Sequence, residues 1–325
     1  MTLKLPALTE RPSGLAGGHG LCAGCSESVV VRQTLAALAN PPVVSLATGC
    51  LEVSTTRFPD TAWKVPVIHS AFENSATTAS GIEAAYKALV RKGRIRERPL
   101  TFVVFAGDGA TYDIGIQWLS GALERGHRFV YVCINNEGYM NTGVQRSGAT
   151  FLGTWTTTTP AGSAVPGKPQ WRKDLTAIVA AHGIPYAAQA AVHNWKDYIA
   201  KVRRAEAADG PSFINVLSPC DRGWRFEPED TMRISRLAVE TGVWPLYEVV
   251  DGRWRLTGSG QKSKPVTEYL AAQGRFRHLM NGEHGETVAR IQSQVDSEWS
   301  RVLERCGATG GAQSADASPE AVKSG

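Results

Sequence analysis

The chain is poor in the features that would point away from a folded globular domain. It has only six cysteines in 325 residues, too few for a disulfide scaffold. It lacks any apolar run near the roughly 18 to 20 residues needed to span a bilayer, so no membrane span is expected. The segment 1–20 has no apolar stretch of the signal-peptide kind and carries Pro6, Pro12 and several glycines. A cytoplasmic location is the resulting expectation. Charge of one sign is also scarce: the formal net charge is +5, and no Lys/Arg block forms a nucleic-acid patch. In a reducing compartment, some of the few cysteines are better read as metal ligands than as cross-links.

The organising stretch lies between residues 107 and 141. An apolar β-branched run over 101–105 leads into Gly107-Asp108-Gly109, a helix-like segment follows over 114–124, and a second apolar run over 129–134 ends in Asn135-Asn136. Parallel strands joined by a crossover helix end on one edge of the sheet, which brings Asp108 and Asn136 together. Two oxygen donors placed so suit Mg²⁺, whose remaining octahedral positions a diphosphate and water can fill. Gly107 and Gly109 let the backbone approach phosphates closely. Taken singly, each motif is more often a tight turn; it is their combination at this spacing that points to a diphosphate and Mg²⁺.

The string Ala106-Gly107-Asp108-Gly109-Ala110-Thr111-Tyr112-Asp113-Ile114-Gly115, followed by Asn136-Glu137-Gly138-Tyr139-Met140-Asn141-Thr142-Gly143-Val144-Gln145-Arg146-Ser147, resembles the thiamine diphosphate-binding β subunits of pyruvate:ferredoxin oxidoreductase and related 2-oxoacid:acceptor oxidoreductases. The likeness runs from about His19 to about Arg305. It implies that Asp108, Asn136 and the Gly138 carbonyl hold Mg²⁺, with Gly107, Gly109, Asn141 and Thr142 beside the cofactor or substrate.

The cysteines fall in separate places. Cys22-Ala23-Gly24-Cys25 puts two thiols on one tight turn. Cys50 and Cys220 each follow a short strand-like run, 43–47 and 212–217. Four thiolates suit zinc or a 4Fe–4S cluster, and spacing alone leaves both open. The resemblance implies the cluster, on Cys22, Cys25, Cys50 and Cys220, with Cys50 also next to the thiamine cofactor. Cys133 and Cys306 are read as incidental.

The remaining expectations complete the map. A helix over 26–39 is capped by Ser26. A long helix over 72–89 has small residues on one face, with His69 and Glu73 near its start as contacts to the diphosphate or to a partner. Residues 142–171 read as a functional lid, a cofactor cover or subunit contact. A hairpin turns at Asp251-Gly252, and helices follow over 266–280 and 286–306. The fold class is α/β, a doubly wound, mostly parallel sheet over 43–220. An N-terminal cysteine arm (1–42), a subunit-contact extension (221–306) and a disordered tail (307–325) flank it.

The resemblance implies oxidative decarboxylation of a 2-oxoacid, with coenzyme A as acyl acceptor and ferredoxin or NAD as electron acceptor. It also implies partner subunits: an α subunit carrying the aminopyrimidine-side domain, a γ subunit and a ferredoxin-like δ subunit. Pyruvate is the first substrate expected. Ser26-Glu27-Ser28 departs from the Gly-Ala-Pro of pyruvate-type chains, and Asn135 stands where Asp is common. That leaves phenylglyoxylate or a branched 2-oxoacid as alternatives and makes Glu27 a candidate catalytic contact beside Asn141. A non-oxidative thiamine decarboxylase would have no use for the cysteines, and a zinc-stapled assembly subunit none for the Mg²⁺ donors.

Overall fold

The structure, a computed structural model, describes residues 13–162 and 164–307. The tail expected over 307–325 therefore lies, apart from Gly307, outside the described residues. No helix among them is long and apolar enough to cross a membrane.

The apolar runs form strands of one eight-stranded sheet. In chain order these are β1 (Pro42–Ala47), β2 (Val67–Ser70), β3 (Thr101–Gly107), β4 (Val130–Asn135), β5 (Tyr186–Ala191), β6 (Ser212–Leu217), β7 (Tyr247–Val250) and β8 (Arg253–Leu256). Their spatial order is β2-β1-β3-β4-β6-β5-β7-β8, the first six parallel. The doubly wound parallel sheet expected from the sequence is thus present.

Alternation along β3 shows why the central strands are apolar throughout. Val103 and Phe105 pack with Val30 and Val31 of helix α1 (Glu27–Ala37) and with Tyr198 and Val202 of a later helix (Trp195–Ala207). Val104 and Ala106 pack on the opposite face with Ala76 and Ala79 of the helix Ser75–Arg91 and Leu119 of Ile116–Glu124. Both faces are covered, so no position can be polar without a partner. A third cluster caps the carboxyl ends of β5 and β6, where Ala191 and Leu217 meet Trp224, Trp244, Tyr269 and Phe276.

Several expectations are refined. The hairpin at Asp251-Gly252 forms, with both residues at positive φ (46° and 78°). It is not a separate appendage, however: β7 pairs antiparallel with β5, from Tyr186↔Val250 to Gln189↔Tyr247, and so extends the main sheet. Residues 142–171 hold no helix or strand, yet Ala149, Phe151, Leu152 and Lys168 are buried, which makes this loop part of the core rather than a lid. The segment after β3 starts as a π-turn over Gly109–Ile114 and becomes α-helical only at Ile116. Ser26 precedes α1 without capping it, because its hydroxyl is engaged by Ser218 Oγ at 2.7 Å.

Candidate cofactor site

After β1 the chain turns to one side to make β2, then returns to place β3 on the other side of β1. In an open α/β sheet, ligands bind beyond the carboxyl ends of strands at such a reversal. A cavity of about 300 Å³ lies there, walled by Thr48, Gly49 and Cys50 after β1, Asp108 and Gly109 after β3, and Asn136 and Gly138 to Thr142 after β4. Glu27 reaches it from α1.

Asp108 is fully buried. Its Oδ1 accepts from the Asn136 amide at 3.2 Å and its Oδ2 from Ser147 Oγ at 2.5 Å. Burial pushes its carboxyl up to about 8, although Ser147 and Asn136 favour the ionised form. Among the described residues no cationic side chain bonds Asp108, and a buried carboxylate so placed gains from a bound cation, which favours the charged form.

The two asparagines have separate duties. Asn135 points into the sheet, donating to Tyr112 Oη at 3.0 Å and accepting from the Glu137 amide at 3.0 Å. Asn136 lines the cavity, and its Nδ2 donates to Glu27 Oε1 at 3.2 Å. Its Oδ1 is buried with no partner among the described residues, as is Glu27 Oε2. An orphaned buried oxygen is costly unless something fills its place. Asp108 and Asn136 Oδ1 are hard oxygen donors of the kind Mg²⁺ takes, so these residues fit the metal the sequence suggests.

The loop is held from behind. Glu137 sits at φ 62°, in the left-handed region. Its buried carboxylate faces Arg275 Nη2 at 2.8 Å and Arg172 Nη1 at 3.5 Å. Neither Arg275 Nη1 nor Glu137 Oε2 completes a well-aligned hydrogen bond, so the Arg275 contact is ionic rather than directional. Arg275 lies flat on Trp224, 3.7 Å from the ring centroid, and Trp224 Nε1 donates to the Asn136 carbonyl at 2.7 Å. Gly138 is crowded: a Cβ there would lie 3.0 Å from Gln145 O, so the neighbouring stretch of the loop would have to give by a few tenths of an ångström. At Gly109 a Cβ would collide with the Tyr139 ring. Gly107 has open space instead, on the cavity wall.

The cysteines gather at the same end of the sheet. The Cys22–Cys25 turn closes through the Cys25 amide to the Cys22 carbonyl at 3.1 Å. Gly24 at its apex, φ 81°, is pressed against Pro228. Cys50 opens the short helix Cys50–Thr55, and Cys220 precedes the turn Asp221–Trp224, its sulfur accepting from the Gly223 amide at 3.3 Å. Burial holds the thiols of Cys25 and Cys50 well above their ordinary range, and the charges of Glu27 and Cys220 add to this in both. Cys50 also feels Cys22, so the four are electrostatic neighbours. Among the described residues no group of three or more His, Cys, Asp or Glu is already set as a metal-binding cage. Sulfur donors with raised pKa values are what a thiophilic metal group would find here and deprotonate. Cys133 is buried within β4 and Cys306 follows the last helix, both away from this group.

Asn141 and Thr142 line the cavity at its exposed rim, with Thr142 Oγ1 bonded to Gln145 Oε1 at 2.5 Å. His69 does not line it. It sits on β2, its Nε2 2.8 Å from Thr48 Oγ1, and that hydroxyl's residue is the one in the wall. Glu73 lies before the helix, which begins at Ser75. Ser147, Trp224, Arg172 and Arg275 escaped sequence reasoning as parts of this site. Only Ser147 had a signal, as the last residue of the motif string.

Comparison with known proteins places this geometry. Residues 47–216 match the family described as thiamine pyrophosphate enzyme, C-terminal TPP binding domain. The span takes in the strand ends around the cavity, so the class is a thiamine diphosphate-binding α/β domain. Pyruvate synthase subunit PorB of Thermotoga maritima is 53% identical over 299 residues, covering 90% of this chain and 92% of that one. Ketoisovalerate oxidoreductase subunit VorB of Pyrococcus abyssi is 40% identical over 287 residues, covering 88% and 91%. The structure of 2-oxoglutarate:ferredoxin oxidoreductase from Magnetococcus marinus, with 2-oxoglutarate, coenzyme A and succinyl-CoA bound, shares the fold at a TM-score of 0.52. The two are 20% identical over 70% of this chain and 78% of that one. The chain belongs to the β subunits of the 2-oxoacid:ferredoxin oxidoreductase family and is an oxidoreductase subunit.

Proposed function

We propose that this chain carries thiamine diphosphate, Mg²⁺ and a 4Fe–4S cluster in an enzyme that oxidatively decarboxylates a 2-oxoacid, pyruvate foremost, to acyl-CoA and CO₂, with ferredoxin as electron acceptor. The observation that carries it is one cavity bordered both by oxygen donors, Asp108 and Asn136, and by a cysteine group reaching it through Cys50. The relatives' names, pyruvate synthase above all, support the substrate class.

When bound, thiamine diphosphate supplies a carbanion and an electron sink for loss of CO₂. Asp108, Asn136 Oδ1 and the Gly138 carbonyl hold its Mg²⁺. Gly107 leaves open space on the cavity wall for the diphosphate. Cys22, Cys25, Cys50 and Cys220 would hold the cluster, which would supply a one-electron acceptor on this side of the cavity. Asn141 and Thr142 meet the substrate at the rim. The glutamate that activates the aminopyrimidine ring comes from an α subunit, and γ and ferredoxin-like δ subunits complete the complex, so the isolated chain binds cofactor without turnover.

The test is anaerobic purification of the full chain followed by iron and sulfide analysis and Mg²⁺-dependent thiamine diphosphate binding. About four irons per chain are expected, together with pyruvate- and CoA-dependent ferredoxin reduction once the partner subunits are added. A colourless, zinc-containing chain would overturn the redox part of the reading. Turnover by the chain alone would overturn its dependence on the α subunit.

A further inference from the structure

Glu27 is a buried carboxylate in the wall of the cofactor cavity and, among the described residues, has no cationic side chain bonded to it. Its backbone is anchored at the start of α1, two residues past Cys25, and its neighbour Ser26 is tied to Ser218 Oγ at 2.7 Å and the Pro219 carbonyl at 3.3 Å. The side chain makes one hydrogen bond, accepting from Asn136 Nδ2.

That bond settles a choice Asn136 cannot make by itself. The two ends of a carboxamide are nearly alike in size, yet one accepts and the other donates. Asn136 has its main chain fixed on both sides, its amide donated to Asp108 Oδ1 at 3.2 Å and its carbonyl held by Trp224 Nε1 at 2.7 Å. The freedom that remains is rotation of the side-chain amide. With Nδ2 on Glu27, the orphaned Oδ1 is the end left for a cation. Rotated by half a turn, Oδ1 would face the Glu27 carboxylate, acceptor against acceptor, and Nδ2 would present its hydrogens where a cation belongs.

We infer that Glu27 is a positioning residue for the divalent cation: by accepting from Asn136 Nδ2 it presents Asn136 Oδ1 as a ligand beside Asp108. The inference rests on the Mg²⁺ reading above and adds to it an outer residue from the cysteine-bearing turn. Partners of this kind orient a ligand without touching the metal, and their loss typically weakens metal affinity by about 10- to 100-fold.

The test titrates Mg²⁺ into the full chain with saturating thiamine diphosphate, following binding by calorimetry. The variants are Glu27→Leu, the isosteric Glu27→Gln, and each of them combined with Asn136→Asp. Glu27→Leu should raise the apparent Kd for Mg²⁺ about 10- to 100-fold. Glu27→Gln should have a smaller effect, because its amide can pair with either orientation of Asn136. The decisive readout is whether the effect depends on the amide. An aspartate offers oxygen at both ends, so in the Asn136→Asp background no orientation is left for Glu27 to set. Removing Glu27 there should no longer weaken Mg²⁺ binding, which loss of a merely structural contact would still do. Equal weakening in both backgrounds, or an unchanged Kd in Glu27→Leu, would overturn the inference while leaving the Mg²⁺ site standing. No cation-dependent binding in the parent chain would overturn the functional reading and the inference with it.

Discussion

Arg275→Met tests whether the cofactor loop depends on charge supplied from behind it. Arg275 is 1% exposed and faces the fully buried Glu137 carboxylate at 2.8 Å. Its guanidinium also donates to Gln273 Oε1 at 2.8 Å and Tyr269 Oη at 3.0 Å and lies flat on Trp224. Removing one partner of a buried pair costs about 3–5 kcal/mol, because the other charge stays buried. Arg172, 3.5 Å from Glu137 and fixed by the Val243 carbonyl, still offsets part of that charge. Methionine also keeps much of the packing volume. The expected loss is therefore near the lower bound, about 3 kcal/mol, read as a drop in the urea midpoint at unchanged slope. Adding Glu137→Gln should recover part of it, since the uncompensated charge is gone, and the two positions should couple by more than about 1 kcal/mol in a double-mutant cycle. Glu137 stands between Asn136 and Gly138 at a positive φ, so Arg275→Met should also weaken Mg²⁺-dependent cofactor binding. A stability within about 1 kcal/mol of the parent would refute the idea that this ion pair maintains the loop.

Trp224→Phe keeps a six-membered ring but removes the five-membered ring and with it the N–H that holds the Asn136 carbonyl; a loss of about 2–4 kcal/mol is expected from the hydrogen bond and the cavity together, with weaker cofactor binding in the same calorimetric titration. Gly109→Ala drives a methyl into the Tyr139 ring and should cost about 1–3 kcal/mol, visible as a lower thermal midpoint. The His193 imidazole, with Nδ1 on Ser235 Oγ at 2.9 Å, is pushed down to about 4 by burial, with Arg236 adding to the effect. Its folded value lies below the ordinary 6.5, so the unfolded chain binds the extra proton. Stability is complete above about 6.5 and falls as the pH drops toward 4, by an amount on the order of 2 kcal/mol. His193→Asn should flatten that limb of the stability profile, and an unaltered slope would count against the assignment.

The cofactor motif was legible because both donors follow apolar runs, and a strand's carboxyl end is a position in space as well as in sequence. Asp108 and Asn136 are joined by a hydrogen bond for that reason. Cys22, Cys25, Cys50 and Cys220 were legible in the same way, as thiols at turns and strand ends. What the sequence hid was mostly lateral. Nothing local in Tyr247 to Leu256 says that the hairpin will join β5 and lengthen the sheet. His69 missed the cavity wall because β2 lies outside β1, which presents Thr48 in its place. Residues 142–171 looked like a lid, because much of their packing comes from Phe151 against Tyr269 and Phe276, far away in sequence. Arg275 carried no signal at all, since its partner Glu137 is far away in sequence.

The anchoring of α1 has a consequence for biosynthesis. Ser26 is bonded to a residue 192 positions later, Thr34 to Tyr198, and the Gly24 carbonyl to Thr231. The helix and its cysteine turn thus leave the ribosome early, while the surface that receives them leaves late. Contacts of such long sequence separation form slowly, and N-terminal segments otherwise tend to fold first during translation. Until some two hundred further residues have emerged, Cys22 and Cys25 have no route to Cys220. Any metal group that joins these thiols is therefore loaded only after about two-thirds of the chain has been made, and the interval before docking is when the cysteines are most open to oxidation.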